Sequence, residues 1–98
     1  MATGKINRPK QFIMESGYFT ENGIAAKSYR DHRINYTKNF PYQPNVIVTL
    51  NTGSTESGMG STTLGTLSGS ETGVTIRIYN NDTSGRNPSV QWAAICEL

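Results

Sequence analysis

Hydrophobic and polar positions alternate along much of the chain, most clearly near its C-terminal end. In GVTIRIYNNDTSGRNPSVQWAAI, residues 73–95, Val74, Ile76 and Ile78 alternate with Thr75, Arg77 and Tyr79. After a run without a large apolar residue, Val90, Trp92 and Ala94 alternate with Gln91 and Ala93. A period of two sends successive side chains to opposite faces of a strand. The stretch therefore predicts two strands joined by a polar hairpin connection. The second strand is apolar on both faces at its end, with Trp92 pointing one way and Ile95 the other. So small a chain needs a partner to cover its second face.

The same pattern recurs upstream. NVIVTLN places Val46, Val48 and Leu50 on one face and Ile47 and Thr49 on the other. QFIMESGYF supplies Phe12, Met14 and Tyr18 and reads as a strand broken at Gly17; Asn22-Gly23 then marks a turn. In IAAKSYRDHRINYTKNF, Ala25 to Lys27 would tolerate a helix. Ile34 and Tyr36 alternate with Asn35 and Thr37, however, so the segment predicts extended chain from about Ser28 to Lys38. Pro41 and Pro44 bracket a loop. TGSTESGMGSTT has no hydrophobic period and reads as a flexible loop with Met59 exposed; TTLGTL follows as a short strand. SGSETG is a turn in which Gly73 is expected to supply a positive φ. Six or so short strands with polar turns predict an all-β fold, an antiparallel β-sandwich or partly closed sheet.

Composition narrows this picture. At 98 residues the chain makes one domain, and a domain near this size buries only roughly 60–65% of its unfolded surface. Residues 1–10 read as a basic N-terminal arm limited by Pro9, and residues 11–98 as the domain. A net charge of +2 is too weak to argue for nucleic acid. The charge is uneven, with Lys5, Arg8, Lys10, Lys27, Arg30, Arg33 and Lys38 set against Glu15, Glu21 and Asp31 in the first 40 residues. No aromatic RNA-binding motif accompanies it, so it reads as a solvated edge or tail. The lone cysteine, Cys96, lies in an apolar strand and reads as a core residue. No apolar run reaches the ~18 residues of a membrane span, and MATGKINRPKQF has no signal-peptide core. Synthesis in a cytoplasm without a signal peptide is the expectation.

Chemistry for catalysis is missing. His32 is the one histidine, and Asp31 beside it would face the opposite side of a strand. The serines have no second base to activate them. One Cys and one His do not make a zinc site. The chain is expected not to be an enzyme and to need no cofactor. The most polar loop is YNNDTSGR, in which Asn80, Asn81, Asp82, Thr83 and Arg86 offer amides and one charge of each sign. Its acidic residues are too few for calcium. It reads either as turn chemistry or as a surface for a neutral polyol. The acceptor patterns at Asn35 and Asn81 carry little weight without a signal peptide.

The order of features adds a family. YTKNFPYQPNVIVTLN, then LSGSETGVTIRIYNND, then VQWAAI resembles the H-type lectin domain. That domain has a Pro-preceded apolar strand, a Thr-Gly-apolar strand and a terminal Trp-x-Ala/Ser-Ile strand. The opening GKINRPKQFIMESGYFT resembles the related small domains of phage tail and baseplate proteins. The likeness covers nearly the whole chain and rests on Pro44–Val46, Thr72-Gly73 and Trp92 in order. It implies a six-stranded antiparallel β-sandwich assembling as a homotrimer, with neighbouring subunits covering the face around Ala93 and Ile95. In the animal lectins the sugar site lies between protomers. Its arginine position falls here near Ser61 and its Trp-His pair on Asn81 and Asp82, so those three residue types are absent.

The resemblance thus implies a phage or prophage virion component of the tail or baseplate, made in a bacterial cytoplasm. It would bind host-surface glycan or dock onto another virion protein, with no nucleic acid and no membrane insertion. A free bacterial lectin and a purely structural trimerisation or decoration module are the alternatives. The candidate ligand residues are Tyr79, Asn80, Asn81, Asp82 and Arg86, with Ser61 and His32.

Overall fold

A computed structural model describes residues 10–50 and 62–98 of the chain. The arm at residues 1–9, the loop with Met59 and the candidate Ser61 lie outside the described residues. Six strands follow one another: β1 Phe12–Thr20, β2 Ser28–Asn35, β3 Asn45–Leu50, β4 Thr62–Leu67, β5 Gly73–Asn80 and β6 Ser89–Glu97. They form two three-stranded sheets in the orders β1-β6-β3 and β2-β5-β4, every pair antiparallel. The fold is an all-β sandwich.

Period-two alternation sets which residues meet between the sheets. Val90, Trp92, Ala94 and Cys96 of β6 and Val74, Ile76 and Ile78 of β5 are buried there. Ile13 and Phe19 of β1, Val46, Val48 and Leu50 of β3 and Leu64 of β4 pack around them. Each fully buried aliphatic side chain contributes about 1.5–3 kcal/mol relative to exposure, so the two central strands carry most of the core.

Four expectations are corrected by the pairing. First, β1 runs through Gly17 without a break. Gly17 lies opposite Trp92 in the register, and a Cβ there would meet the indole Nε1 at 3.0 Å. The glycine makes room for the tryptophan, a close approach of the kind that explains glycine inside a strand. Second, β2 ends at Asn35 and not at Lys38. The Glu15 carboxylate accepts the backbone N–H groups of Thr37 (2.9 Å) and Lys38 (2.9 Å) and turns the chain away from the sheet.

Third, positive φ among the described residues falls on Gly23 (73°), Lys27 (58°) and Ser68 (53°), so Gly73 does not supply it. Gly73 instead opens β5 against Asn35, where a Cβ would lie 2.3 Å from the Ile34 carbonyl oxygen. Fourth, the segment between β5 and β6 is not a hairpin. Its two strands belong to different sheets, so residues 81–88 arch from one layer of the sandwich to the other. Ala26 and Lys27 form a turn beneath that arch.

Candidate functional site

The arch is built on Asn80. This last residue of β5 faces inward and is fully buried. Its Nδ2 donates to the carbonyl oxygens of Ile24 (2.9 Å), Ala25 (3.2 Å) and Ser84 (2.8 Å), and its Oδ1 accepts from the Asp82 N–H (3.0 Å). Burying an amide is favourable only when its hydrogen bonds are remade inside. Here they are, and the side chain holds the arch from beneath.

The outer part of the arch is satisfied by the neighbouring turn. Asp82 Oδ2 accepts from Arg86 Nε (2.9 Å) and Nη2 (2.6 Å), and Oδ1 accepts from the Thr83 N–H (2.7 Å). The Arg86 partner, then the Thr83 backbone, hold the Asp82 carboxyl below the usual carboxylate range. Arg86 also exchanges both backbone hydrogen bonds with Ile24 at 3.0 Å. Lys27 Nζ donates to the Asn81 carbonyl (2.7 Å), and Asn81 Nδ2 donates to Thr63 Oγ1 (3.2 Å). Asn81, Asp82 and Arg86 thus share one end of the sandwich, each already bonded to protein.

His32 and Tyr79 lie elsewhere. His32 is on the inward side of β2, stacked on Phe19 with ring centroids 3.8 Å apart and planes within 5°. Its Nδ1 is 2.5 Å from Glu21 Oε1. It sits four residues along β2 from the Ser28–Asn80 pair, about 13 Å at strand rise. Arg30 on the same side ties the turn, donating to the carbonyls of Asn22 (2.7 Å) and Gly23 (3.1 Å). As the alternation requires, Asp31 points to the other face of β2 and bonds there to Arg77.

That other face is the outer surface of the β2-β5-β4 sheet, and Tyr79 belongs to it. Tyr29 pairs with Tyr79 across the strands, with ring centroids 5.3 Å apart. Both rings are about half exposed. Arg77 makes a two-point contact with Asp31, Nε to Oδ1 at 2.8 Å and Nη2 to Oδ2 at 2.9 Å. Its guanidinium carbon lies 4.2 Å from the Tyr29 ring centroid. The hydrogen bond from Arg77 holds the Asp31 carboxyl below its ordinary value and raises the guanidinium in turn. Beside Arg77 a groove of about 380 Å³ runs past Thr63, Gly65, Leu67 and Tyr79. Sequence reading missed Tyr29, Asp31, Thr63, Gly65 and Arg77. The outward alternation of Tyr29 with Asp31 and of Arg77 with Tyr79 was visible, but not the register that sets these pairs side by side.

The opposite outer surface, that of the β1-β6-β3 sheet, sets exposed apolar side chains among polar ones, Ser16, Asn45, Thr49 and Gln91. Phe12 (55%), Met14 (52%), Tyr18 (73%) and Ile47 (59%) are largely exposed there. Ala93 and Ile95 of the central strand, half-buried, lie between them in the register. Among the described residues there is no cluster of acidic, His and Cys side chains able to hold a metal ion, and no helix long and apolar enough to cross a membrane.

No family model and no curated protein matches the chain. Its fold is similar to that of solved tail structures. The C-terminal part of the P. aeruginosa R1 pyocin fibre superposes with a TM-score of 0.71 at 18% identity, over 87% of this chain and 23% of that one. An N-truncated R1-type pyocin tail fibre gives 0.71 and 18%, over 87% of this chain and 70% of that one. The tailspike gp61 of Pseudomonas phage phi297 gives 0.63 and 18%, over 86% of this chain and 15% of that one. At this identity the likeness is one of fold, and the chain spans only a small part of the longer fibre and of the tailspike.

Proposed function

We propose that the chain is a non-enzymatic tail component of a phage or phage-like particle, assembled as a homotrimer and adhering to host-surface glycan. The observation that carries the reading is the set of exposed apolar side chains on the outer face of the β1-β6-β3 sheet. Several large apolar side chains exposed on one face are the kind of surface that marks an interface, and obligate interfaces are the most apolar class. The fold likeness to pyocin fibres and a tailspike supports the tail context. The resemblance to H-type lectins supports the trimer; the arginine and Trp-His pair of their sugar site are replaced here, so a glycan site is built from other residues. Three copies packed through Met14, Ile47 and Ile95 would cover the second face of β6 and leave the other sheet outermost.

The test is light scattering on the purified chain together with an Ile47→Glu variant. Wild type is expected at three times 10.7 kDa and the variant at one, with the sandwich still folded. A wild-type monomer across micromolar concentrations would overturn the assembly.

A second reading is favoured by one observation. The arch from Asn81 to Arg86 is satisfied by its own protein contacts, as a purely structural trimerisation module would have it. Equal attachment of wild type and an Asp82→Ala, Arg86→Ala double variant to host cells would remove the arch from any recognition site.

A further inference from the structure

The outer face of the β2-β5-β4 sheet carries a set of groups that the arch does not use. We infer that Tyr29, Asp31, Arg77 and Tyr79, with the groove over Thr63 and Gly65, form a binding site for a neutral pyranose of a surface saccharide. The inference deepens the adhesion reading and rests on it.

A pyranose has one face of C–H groups and a rim of hydroxyls, so its site needs a flat apolar platform beside fixed donors and acceptors. Tyr79, 40% exposed, provides the platform, with Tyr29 tilted against it at 5.3 Å. Aromatic rings with a polar tip suit a surface that is half apolar and half wet. Arg77 and Asp31 provide the polar edge. The bidentate contact at 2.8 and 2.9 Å and the tyrosine ring 4.2 Å from the guanidinium carbon orient both groups before any ligand arrives. Asp31 engages Nε and Nη2, and the Tyr79 side chain is a further hydrogen-bond partner of Arg77, which ties the platform to the polar edge. Each carboxylate oxygen keeps acceptor capacity beyond the one bond it takes from Arg77. Preformed donors of this kind lower the cost of ordering on binding.

The space is supplied by Gly65. It lies opposite Arg77 in the β4–β5 register, where any other residue would raise a side chain, and a Cβ built there meets nothing within 4 Å. The result is a trough about 380 Å³ in volume with Leu67 along its side and Thr63 beside Tyr79, within the range of small-ligand sites. The charge balance favours a neutral ligand. The positive charge of Arg77 is already matched by Asp31, so a carboxylate or phosphate would have to break that pair to gain a partner. Arg33, two residues along, donates instead to Ser68 O (2.9 Å) and Thr75 Oγ1 (3.3 Å). This face also lies on the side of the sandwich away from Met14, Ile47 and Ile95, and a trimer closed through them leaves the trough open.

The experiment is saturation-transfer NMR on the full chain with the methyl α-pyranosides of glucose, galactose and mannose, followed by an array of neutral bacterial surface polysaccharides. Transfer to ring protons of at least one glycan is expected. Tyr79→Ala and Gly65→Val, the second filling the trough without touching a polar group, should each weaken that binding about tenfold or more. Melting temperature and oligomeric size should stay at wild type. Tyr79→Phe keeps the platform and should keep most of the binding.

Binding unchanged in Gly65→Val and Tyr79→Ala would overturn the site, as would a wild-type protein that binds none of the neutral glycans. Loss confined to the Asp82→Ala, Arg86→Ala variant would overturn the groove while leaving the adhesion reading standing. A monomer that still binds through Tyr79 would overturn the trimer and leave the groove.

Discussion

The two outer faces of this sandwich are built on the same backbone plan and differ in almost every side chain. On the β1-β6-β3 sheet the outward positions of the edge strands include Phe12, Met14, Tyr18 and Ile47, all exposed. On the β2-β5-β4 sheet the outward positions include Tyr29 and Asp31 of one edge, Thr63 of the other and Arg77 and Tyr79 of the central strand, and an ion pair, a cation–π contact and a ring pair join the four from β2 and β5. A period-two pattern only requires that one face of each strand be apolar. What occupies the second face is free to vary, and so carries information about use. An apolar second face is stable in water only when something covers it. A polar second face with its charges paired is stable uncovered.

The largest test of that contrast removes the core that both faces stand on. Trp92 is buried on the inward side of β6 with Gly17 beneath it. Trp92→Ala should cost about 3–5 kcal/mol, a large share of the roughly 5–15 kcal/mol of a whole domain. Denaturant melts should show it, and an unchanged midpoint would remove Trp92 from the core.

A buried polar anchor comes next. Asn80→Ala takes the amide donor from the Ser84 carbonyl and the acceptor from the Asp82 N–H, while the Ile24 and Ala25 carbonyls keep the Arg86 N–H and the Ser28 hydroxyl, and should cost about 1–3 kcal/mol. The Asp82→Ala, Arg86→Ala pair, nearer the surface, should barely move the melting curve. Equal effects from the two would mean that the arch is not held from beneath.

A matched pair of charge insertions then compares the faces directly. Ile47→Glu should dissociate the proposed trimer, as read by light scattering, whereas Thr63→Glu on the other sheet should leave it intact. Dissociation by both, or by neither, would erase the distinction drawn between the faces.

The smallest effect is expected with pH. Asp31 and Asp82 are both held below the ordinary carboxylate value of 3.8 by their arginines. A carboxyl whose folded pKa is lowered stabilises fully above its unfolded pKa, and that contribution fades as pH falls through the folded value. Stability should therefore be flat in these terms down to about pH 4 and decline below it. Asp31→Asn should lose the part due to its own face. Thermal melts between pH 5 and pH 2 that overlay for wild type and variant would show that the pair adds nothing, as is common for surface ion pairs.

Local pattern was enough to place six strands and the core side of β3, β5 and β6; in β1 it pointed to Phe12, Met14 and Tyr18, which are exposed, whereas Ile13 and Phe19 pack on the core. The alternation at Val74–Tyr79 and Val90–Ala94 is a property of adjacent residues, and Trp92 as a core anchor follows from it. The resemblance to H-type lectin domains led to the same six-stranded sandwich. Three-dimensional neighbours decided the rest, because strand pairing joins residues far apart in the chain and no local signal encodes it. Gly17 reads as a break in one dimension, and only the pairing sets Trp92 against it. Gly73 reads as a left-handed turn residue in one dimension, whereas in the fold the Ile34 carbonyl occupies the place of its side chain. The arch read as a hairpin because turn-forming residues look the same whether the next strand pairs with the last or crosses to another sheet. Asn80 looked like a ligand contact for the same reason: an amide's polarity is legible in one dimension, and its burial is not. The groove at Tyr79 needed Tyr29, Arg77 and Gly65 brought together from three strands, and only the register of β2, β5 and β4 does that.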